Sequence, residues 1–149
     1  MFIQDKAAGV LSVNDRTIIN DADSNNIILG NGGVLQRYDY ITTLFGMKPN
    51  QKAYTMSNES LYWWDGYNKE IIQYQEGYNV NQLQHLKQIN SYIQEHTESE
   101  TPEIFYDKHN KEVVFNVVGD EAVVYNEKVG QFTSVYTFCP AYHCDLISA

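Results

Sequence analysis

Near the C-terminus, three side chains of reactive types lie close together. Cys139, His143 and Cys144 fall within the segment CPAYHC. Thiolates and imidazoles bind zinc, but a structural zinc site takes four ligands and this segment supplies three. A Cys–His nucleophile needs its two groups to meet, whereas neighbouring residues of an extended segment point to opposite sides. We therefore predict a pair of reduced thiols here, and neither a metal site nor a catalytic one.

Carboxylates and amides recur in two similar segments. Trp64–Ile72 has the sequence WDGYNKEII and Tyr106–Val114 has YDKHNKEVV, with an offset of 42 residues. An Asp side chain accepts hydrogen bonds from backbone N–H groups two residues on, and Asn tolerates a left-handed backbone, so both segments predict tight turns. Calcium binding is the alternative, but Ca²⁺ takes about six to eight oxygen ligands and each segment offers one carboxylate and one amide. The predicted turn residues are Asp65, Asn68, Asp107 and Asn110.

An aromatic cluster surrounds the first of these turns, and its members are Tyr62, Trp63, Trp64 and Tyr67. Exposed Trp and Tyr stack on sugar rings and anchor protein interfaces, so the cluster is a candidate contact for a glycan or a partner protein. Alternation along a strand puts Trp63 and Trp64 on opposite faces. A sheet covered on both faces buries both rings, and we favour such packing over glycan contact.

Composition and motifs exclude several classes of function. Hydrophobic residues make up 43% of the 149 residues, which is a globular composition. The formal net charge of −9 argues against nucleic-acid binding, which depends on basic side chains. No apolar run approaches the ~18 residues of a membrane-spanning helix. The GNGG segment lacks the Lys and the following helix of a phosphate-binding loop, and no other catalytic motif occurs. We predict a non-enzymatic chain without cofactor, metal, nucleic-acid partner or membrane partner.

Short apolar runs separated by polar breaks indicate β-strands along most of the chain. Asn31-Gly32-Gly33 predicts a hairpin turn. In Val113–Val118 the side chains that point to each face of the strand are mostly apolar, so its sheet needs a neighbour on each face. The last third predicts a four-stranded antiparallel meander, with strands near Ile104–Tyr106, Glu112–Val118, Glu121–Tyr125 and Gln131–Phe138.

One segment has a helical pattern. Apolar residues recur at three- to four-residue spacing between Val80 and Ile93, which predicts one amphipathic helix at about residues 80–96. We place this helix between strands two and three of a sheet and expect the following TESETPE segment to be an exposed loop. His85 and His96 lack neighbouring ligand side chains and are interpreted as solvated.

The offset of 42 residues matches the period of propeller blades, which are four-stranded antiparallel meanders of about 40–45 residues. We therefore predict a mainly β fold of propeller-like blades with one inserted helix. Residues 1–59 form a strand-rich N-terminal part or an incomplete blade, residues 60–142 the blade region, and residues 143–149 a C-terminal tail. Two or three blades do not close a ring. The chain is therefore either one domain that assembles with other chains or a fragment of a larger protein.

The segment AVVYNEKVGQFTSVYTFCPAY, residues 122–142, resembles a recurring element in the large tail structural proteins of crAss-like bacteriophages, including those of the muzzle type. SLYWWDGYNKEIIQY and the D-x-x-N-K-E hairpin are similar to what precedes that element, so the resemblance spans about residues 60–142. It implies a virion tail protein, made in the host cytoplasm, that contacts other tail proteins or further blades and is able to self-associate. A receptor- or carbohydrate-binding tail module is the alternative. The shared motifs are structural and imply no catalytic residues.

Overall fold

The computed structural model describes residues 1–14, 17–20, 26–29, 34–77 and 79–138, with the side chains of residues 13–34 not described. The turn predicted at Asn31-Gly32-Gly33, the residues Cys139, His143 and Cys144, and the predicted tail lie outside the described residues.

The described part of the chain is mainly β, as predicted, and no helix within it is long and apolar enough to cross a membrane. Its two helices are α1 (Leu83–Leu86) and α2 (Asn90–Glu95). Its strands are β1 (Phe2–Ile3), β2 (Ala8–Asn14), β3 (Thr17–Asn20), β4 (Asn26–Leu29), β5 (Val34–Thr42), β6 (Tyr54–Met56), β7 (Leu61–Asp65), β8 (Glu70–Tyr74), β9 (Asn81–Gln82), β10 (Glu98–Asp107), β11 (Glu112–Val118), β12 (Ala122–Asn126) and β13 (Gln131–Tyr136).

Consecutive strands pair antiparallel in two four-stranded sheets. We call β6-β7-β8-β9 the first meander and β10-β11-β12-β13 the second meander. The strand order predicted for the last third is therefore confirmed. The first meander begins with β6, ahead of the expected boundary at residue 60, because Tyr54 in β6 pairs with Trp63 in β7. In the N-terminal part, β1-β2-β5 form a three-stranded sheet, which we call the N-terminal sheet, and β3 pairs with β4.

The prediction of one continuous helix at residues 80–96 is wrong. The segment begins with β9, and its two short helices are separated at Gln88, whose φ of 58° does not fit a right-handed helix. The buried Gln84 explains the break, because its side chain bonds to β8 as a further strand would. Gln84 Oε1 accepts a hydrogen bond from the Ile71 backbone N–H at 2.8 Å, and Gln84 Nε2 donates to the Lys69 carbonyl at 2.9 Å.

The helical segment also lies between the two meanders and not inside one of them. Strands β8 and β9 already complete the first meander before α1 begins, since Ile72 pairs with Gln82. The TESETPE segment is likewise not a loop, because β10 begins at Glu98 within it.

The sheets stack on one another around two hydrophobic clusters. Tyr62, Trp64 and Ile71 of the first meander pack with Val113 and Phe115 of the second. Trp63 and Ile72, on the other face of the first meander, pack with Ala8 of the N-terminal sheet. A third cluster lies on the outer face of the second meander and contains Val114, Ala122 and Val124. The described residues thus form stacked open sheets, and no closed ring is present among them.

Candidate functional site

The first D-x-x-N-K-E segment forms the four-residue connection between β7 and β8. Asp65 pairs with Glu70, and its Oδ1 accepts hydrogen bonds from the backbone N–H groups of Tyr67 (2.9 Å) and Asn68 (3.2 Å). Asp65 Oδ2 accepts from the Asn68 side chain at 2.8 Å and from the Gly46 N–H at 3.2 Å. This carboxylate is buried, and the four N–H donors satisfy the hydrogen-bonding capacity of its two oxygens. It shapes the hairpin and also holds the loop around Gly46 against it.

The second segment repeats this geometry between β10 and β11. Asp107 Oδ1 accepts from the backbone N–H groups of His109 (2.8 Å) and Asn110 (3.2 Å), and Asn110 Nδ2 donates to Asp107 Oδ2 at 2.8 Å. Burial raises the pKa of Asp107, but the donors from Asn110 and His109 outweigh burial and leave this pKa below its ordinary value. The sequence repeat is therefore a repeated hairpin.

A third hairpin of the same kind joins β12 to β13. The predicted meander requires a connection here, but sequence reasoning did not recognise its likeness to the other two. Asn126 Oδ1 accepts from the backbone N–H groups of Lys128 (3.0 Å) and Val129 (3.2 Å), and Asn126 pairs with Gln131 across a four-residue connection. In this hairpin Asn stands in place of Asp, and Gly130 in place of Lys. The signal that could have revealed it is the shared spacing, since each side-chain acceptor lies five residues before the first residue of the next strand.

The left-handed backbone in these hairpins lies one residue later than expected. Lys69 (φ 53°), Lys111 (φ 61°) and Gly130 (φ 67°) hold the last position of their connections, whereas Asn68 and Asn110 do not have positive φ. Asn68 and Asn110 therefore lie in the turns without adopting the left-handed backbone that Asn tolerates. The Asn side chain instead binds the Asp carboxylate, and the next residue turns the chain into the second strand.

The carboxylates of the first two hairpins are occupied by N–H donors from the protein itself. Both oxygens of Asp65 and both of Asp107 accept hydrogen bonds within their own loops. Among the described residues, no group of three or more His, Cys, Asp or Glu side chains is arranged to hold a metal ion. This geometry supports a turn-forming role and offers nothing for the calcium alternative.

Three of the four aromatic candidates lie in the interior. Tyr62, Trp63 and Trp64 are 1%, 0% and 0% exposed, and Tyr62 packs edge-on against Phe115 of the second meander at 6.0 Å between ring centres. Trp63 and Trp64 point to opposite faces, as alternation predicts. These three rings are therefore not available to a glycan. Tyr67 alone is at the surface, 50% exposed, with Lys48 Nζ 5.8 Å from its ring centre.

Glu98, at the start of β10, joins three parts of the chain. Its Oε1 accepts hydrogen bonds from Trp64 Nε1 in the first meander (3.0 Å) and from Gln51 Nε2 (2.9 Å), and its Oε2 forms an ion pair with Lys48 Nζ. Burial raises the pKa of Glu98, but these three donors outweigh burial, so its pKa lies below its ordinary value. The carboxylate therefore stays ionised and holds the edge of the second meander to the first.

Two tyrosine–carboxylate bonds connect further elements. Tyr62 OH donates to Glu127 Oε1 at 2.9 Å, across the interface between the meanders. Burial is the main cause that raises the pKa of Tyr62 well above its ordinary value, and the hydrogen bond to Glu127 and its charge add to this shift. The phenol therefore remains a neutral donor. Tyr92 OH in α2 donates to Glu121 Oε2 at 2.7 Å, and burial with Glu121 raises the pKa of Tyr92 to about 12. All of these titratable groups connect secondary-structure elements to one another.

Comparison with known proteins adds one result to this geometry. A family model described as Crassvirus muzzle protein matches residues 1–146. No curated protein and no solved structure matches significantly. The match includes the N-terminal sixty residues, which the sequence resemblance covered only loosely, through LGNGG.

Proposed function

The chain belongs to the Crassvirus muzzle protein family, whose name indicates a virion structural role, and we propose on this basis that it is a non-enzymatic module of tail assembly. In this role it binds neighbouring virion proteins, or further sheets of a larger protein, by packing. It is located in the virion tail after synthesis in the host cytoplasm.

The observation that carries this proposal is the burial of the aromatic cluster between stacked sheets. The two meanders and the N-terminal sheet cover one another through Trp63 and Trp64, and the polar contacts of Glu98 and Tyr62 join the layers. Sheets that cover one another in this way can be extended by further sheets, as propeller-like blades are. We propose such blade-like stacking for the assembled protein, with the D-x-x-N-K-E hairpin as its repeated unit.

A matched pair of phage variants tests this function. Trp64→Ala removes a ring buried between the meanders, and Tyr67→Ala removes an exposed ring three residues later. If the chain acts in tail assembly by packing, the Trp64 variant lowers the yield of tailed particles counted by electron microscopy, while the Tyr67 variant assembles and adsorbs normally. Normal tails in the Trp64 variant would contradict the proposal.

The same experiment contains the test of the carbohydrate-binding alternative. A Tyr67 variant that assembles complete tails but fails to adsorb to host cells supports a receptor- or glycan-binding module instead. Among the four residues first considered for that role, only Tyr67 has the exposed ring that it needs.

A further inference from the structure

The ribbon formed by β2 and β5 carries an uncovered apolar face. Leu11 lies opposite Tyr38 and Gly9 lies opposite Tyr40, and residues directly opposite in an antiparallel pair share a face. Phe2, paired with Gly9, extends this face into β1. Leu11, Tyr38 and Tyr40 are 45%, 59% and 49% exposed, so the Leu side chain and the carbon atoms of the two rings lie against water. We call this surface the apolar ribbon face; it consists of Phe2, Leu11, Leu35, Tyr38 and Tyr40.

The other face of the same ribbon is polar at its free end and anchored at its base. Ser12 lies opposite Arg37 and Val10 opposite Asp39, and Arg37 and Asp39 form an exposed ion pair at 2.8 Å. Ala8, at the base, is buried against the first meander. The ribbon is thus attached to the body by the polar face, and the apolar ribbon face points away from the core.

The rings of the apolar ribbon face are already arranged in a row. Tyr40 packs edge-on against Phe2 at 5.6 Å and against Tyr38 at 6.0 Å between ring centres. Phe2 lies directly over Gly9, where a Cβ atom would come within 2.5 Å of the ring. A groove of about 340 Å³ runs between Phe2, Gln4, Leu11 and the two tyrosines. Rings that are ordered before binding lose little conformational entropy when a partner covers them.

We propose that the apolar ribbon face docks against the same face of a second copy of this chain. The formal net charge of −9 makes copies repel one another across most of their surfaces. The apolar ribbon face carries no charged side chain, since Arg37 and Asp39 point to the opposite side. A two-fold contact places a patch against itself, which an uncharged apolar patch tolerates and an acidic patch does not.

The size of the face predicts a weak dimer. Four of its side chains are about half exposed, and with surfaces on the order of 200 Å² each they provide roughly 400 Å² per copy, or about 800 Å² in total. Stable interfaces bury more than about 1,200 Å². We therefore expect a dimer that dissociates on dilution through the micromolar range.

Sedimentation velocity of the purified chain over a range of about 5 to 500 μM tests the proposal with two neighbouring variants. Leu11→Lys puts a charge on the apolar ribbon face, and Ser12→Lys puts the same charge on the opposite face. Both variants change the net charge equally, and both lower the general repulsion between copies. We expect the wild type and Ser12→Lys to dimerise alike, and Leu11→Lys to dimerise at least tenfold more weakly.

Further outcomes are also decisive. Circular dichroism checks that both variants fold, and Tyr38→Ser, which shortens a side chain without adding charge, replaces Leu11→Lys if the latter does not fold. A wild type that is monomeric throughout the range overturns the proposal, as does equal dimerisation of all variants. So does a wild type that stays monomeric but binds a different virion subunit through Leu11. The two outcomes measured on the purified chain alone do not bear on the tail role, whereas binding to a different virion subunit supports that role.

Discussion

At the scale of single residues, the Glu98 side chain connects segments that are far apart in the chain. Its carboxylate binds Lys48, Gln51 and Trp64, which lie 50, 47 and 34 residues away in the chain. A partly buried carboxylate with three donors contributes to stability only while it is ionised. The contribution of Glu98 to the free energy of unfolding therefore depends on pH.

We predict that Glu98→Gln lowers the free energy of unfolding by about 1–3 kcal/mol at neutral pH, because three donors lose their charged acceptor. The pKa of Glu98 is lower in the folded chain than its ordinary value of 4.5. The contribution is thus fully present above that value and is lost as the pH falls through the folded pKa. Urea unfolding between neutral and acidic pH measures the free energy of unfolding of the wild type and the variant. The difference between the two values should shrink as the pH falls.

Glu100→Gln is the matched control for this measurement. Glu100 lies on the same strand, two residues later, and is exposed. We expect it to change stability by less than about 0.5 kcal/mol. A Glu98 effect that is constant across the pH series would show that the charge on Glu98 is not its source.

At the scale of elements, the hairpin is the repeated unit of this chain. Asp65, Asp107 and Asn126 each accept two backbone N–H groups in a four-residue connection. The two D-x-x-N-K-E copies hold different positions in their sheets, since the first joins strands two and three of its meander and the second joins strands one and two. The offset of 42 residues therefore relates hairpins, and it does not superimpose whole meanders.

The positive φ shared by Lys111 and Gly130 predicts opposite effects of two substitutions. A side chain at positive φ is strained by about 1–2 kcal/mol, and glycine avoids this strain at an entropic cost. We expect Lys111→Gly to raise the free energy of unfolding by up to about 1 kcal/mol, and Gly130→Ala to lower it by about 1 kcal/mol. Thermal or denaturant unfolding measures both changes.

Lys108→Gly provides the control in the same connection as Lys111. Lys108 does not have positive φ, so glycine there adds chain entropy to the unfolded state without relieving strain. This variant should be no more stable than the wild type. If Lys108→Gly stabilises the chain as much as Lys111→Gly does, relief of backbone strain at Lys111 does not explain the stabilisation.

At the scale of the whole molecule, the chain is a stack in which the first meander is the middle layer. Trp64 points from it toward the second meander, and Trp63 points toward the N-terminal sheet. Two identical side chains, adjacent in sequence, therefore support two different interfaces.

We predict that Trp63→Ala and Trp64→Ala each lower the free energy of unfolding by about 3–5 kcal/mol, because each leaves a large cavity. Hydrogen exchange should separate them. Trp64→Ala speeds exchange in the second meander, whereas Trp63→Ala speeds exchange in β1, β2 and β5 and leaves the second meander protected. The same exchange pattern in both variants would contradict a layered stack.

The sequence by itself determined the features that depend on neighbouring residues. Short apolar runs separated by polar breaks predicted the strands of the second meander, and Asp65 and Asp107 each marked one hairpin, in the first and second meander respectively. The opposite directions of Trp63 and Trp64 follow from the pleat of a single strand. The phage family was also recognisable, because its motif lies in the hairpins and strands themselves.

The tertiary structure alone decided the features that depend on partners far along the chain. Gln84 bonds to the edge of β8, and this contact breaks a helical pattern that looked continuous in isolation. Glu98 belongs to a strand and not to a loop, because it pairs with Val118 of β11, twenty residues later in the chain. The exposure of Leu11 and Tyr38 was also not readable from their types, because burial depends on which sheet covers a strand. Local pattern selects an element, and long-range hydrogen bonding and packing decide its length, its neighbours and the face that it leaves open.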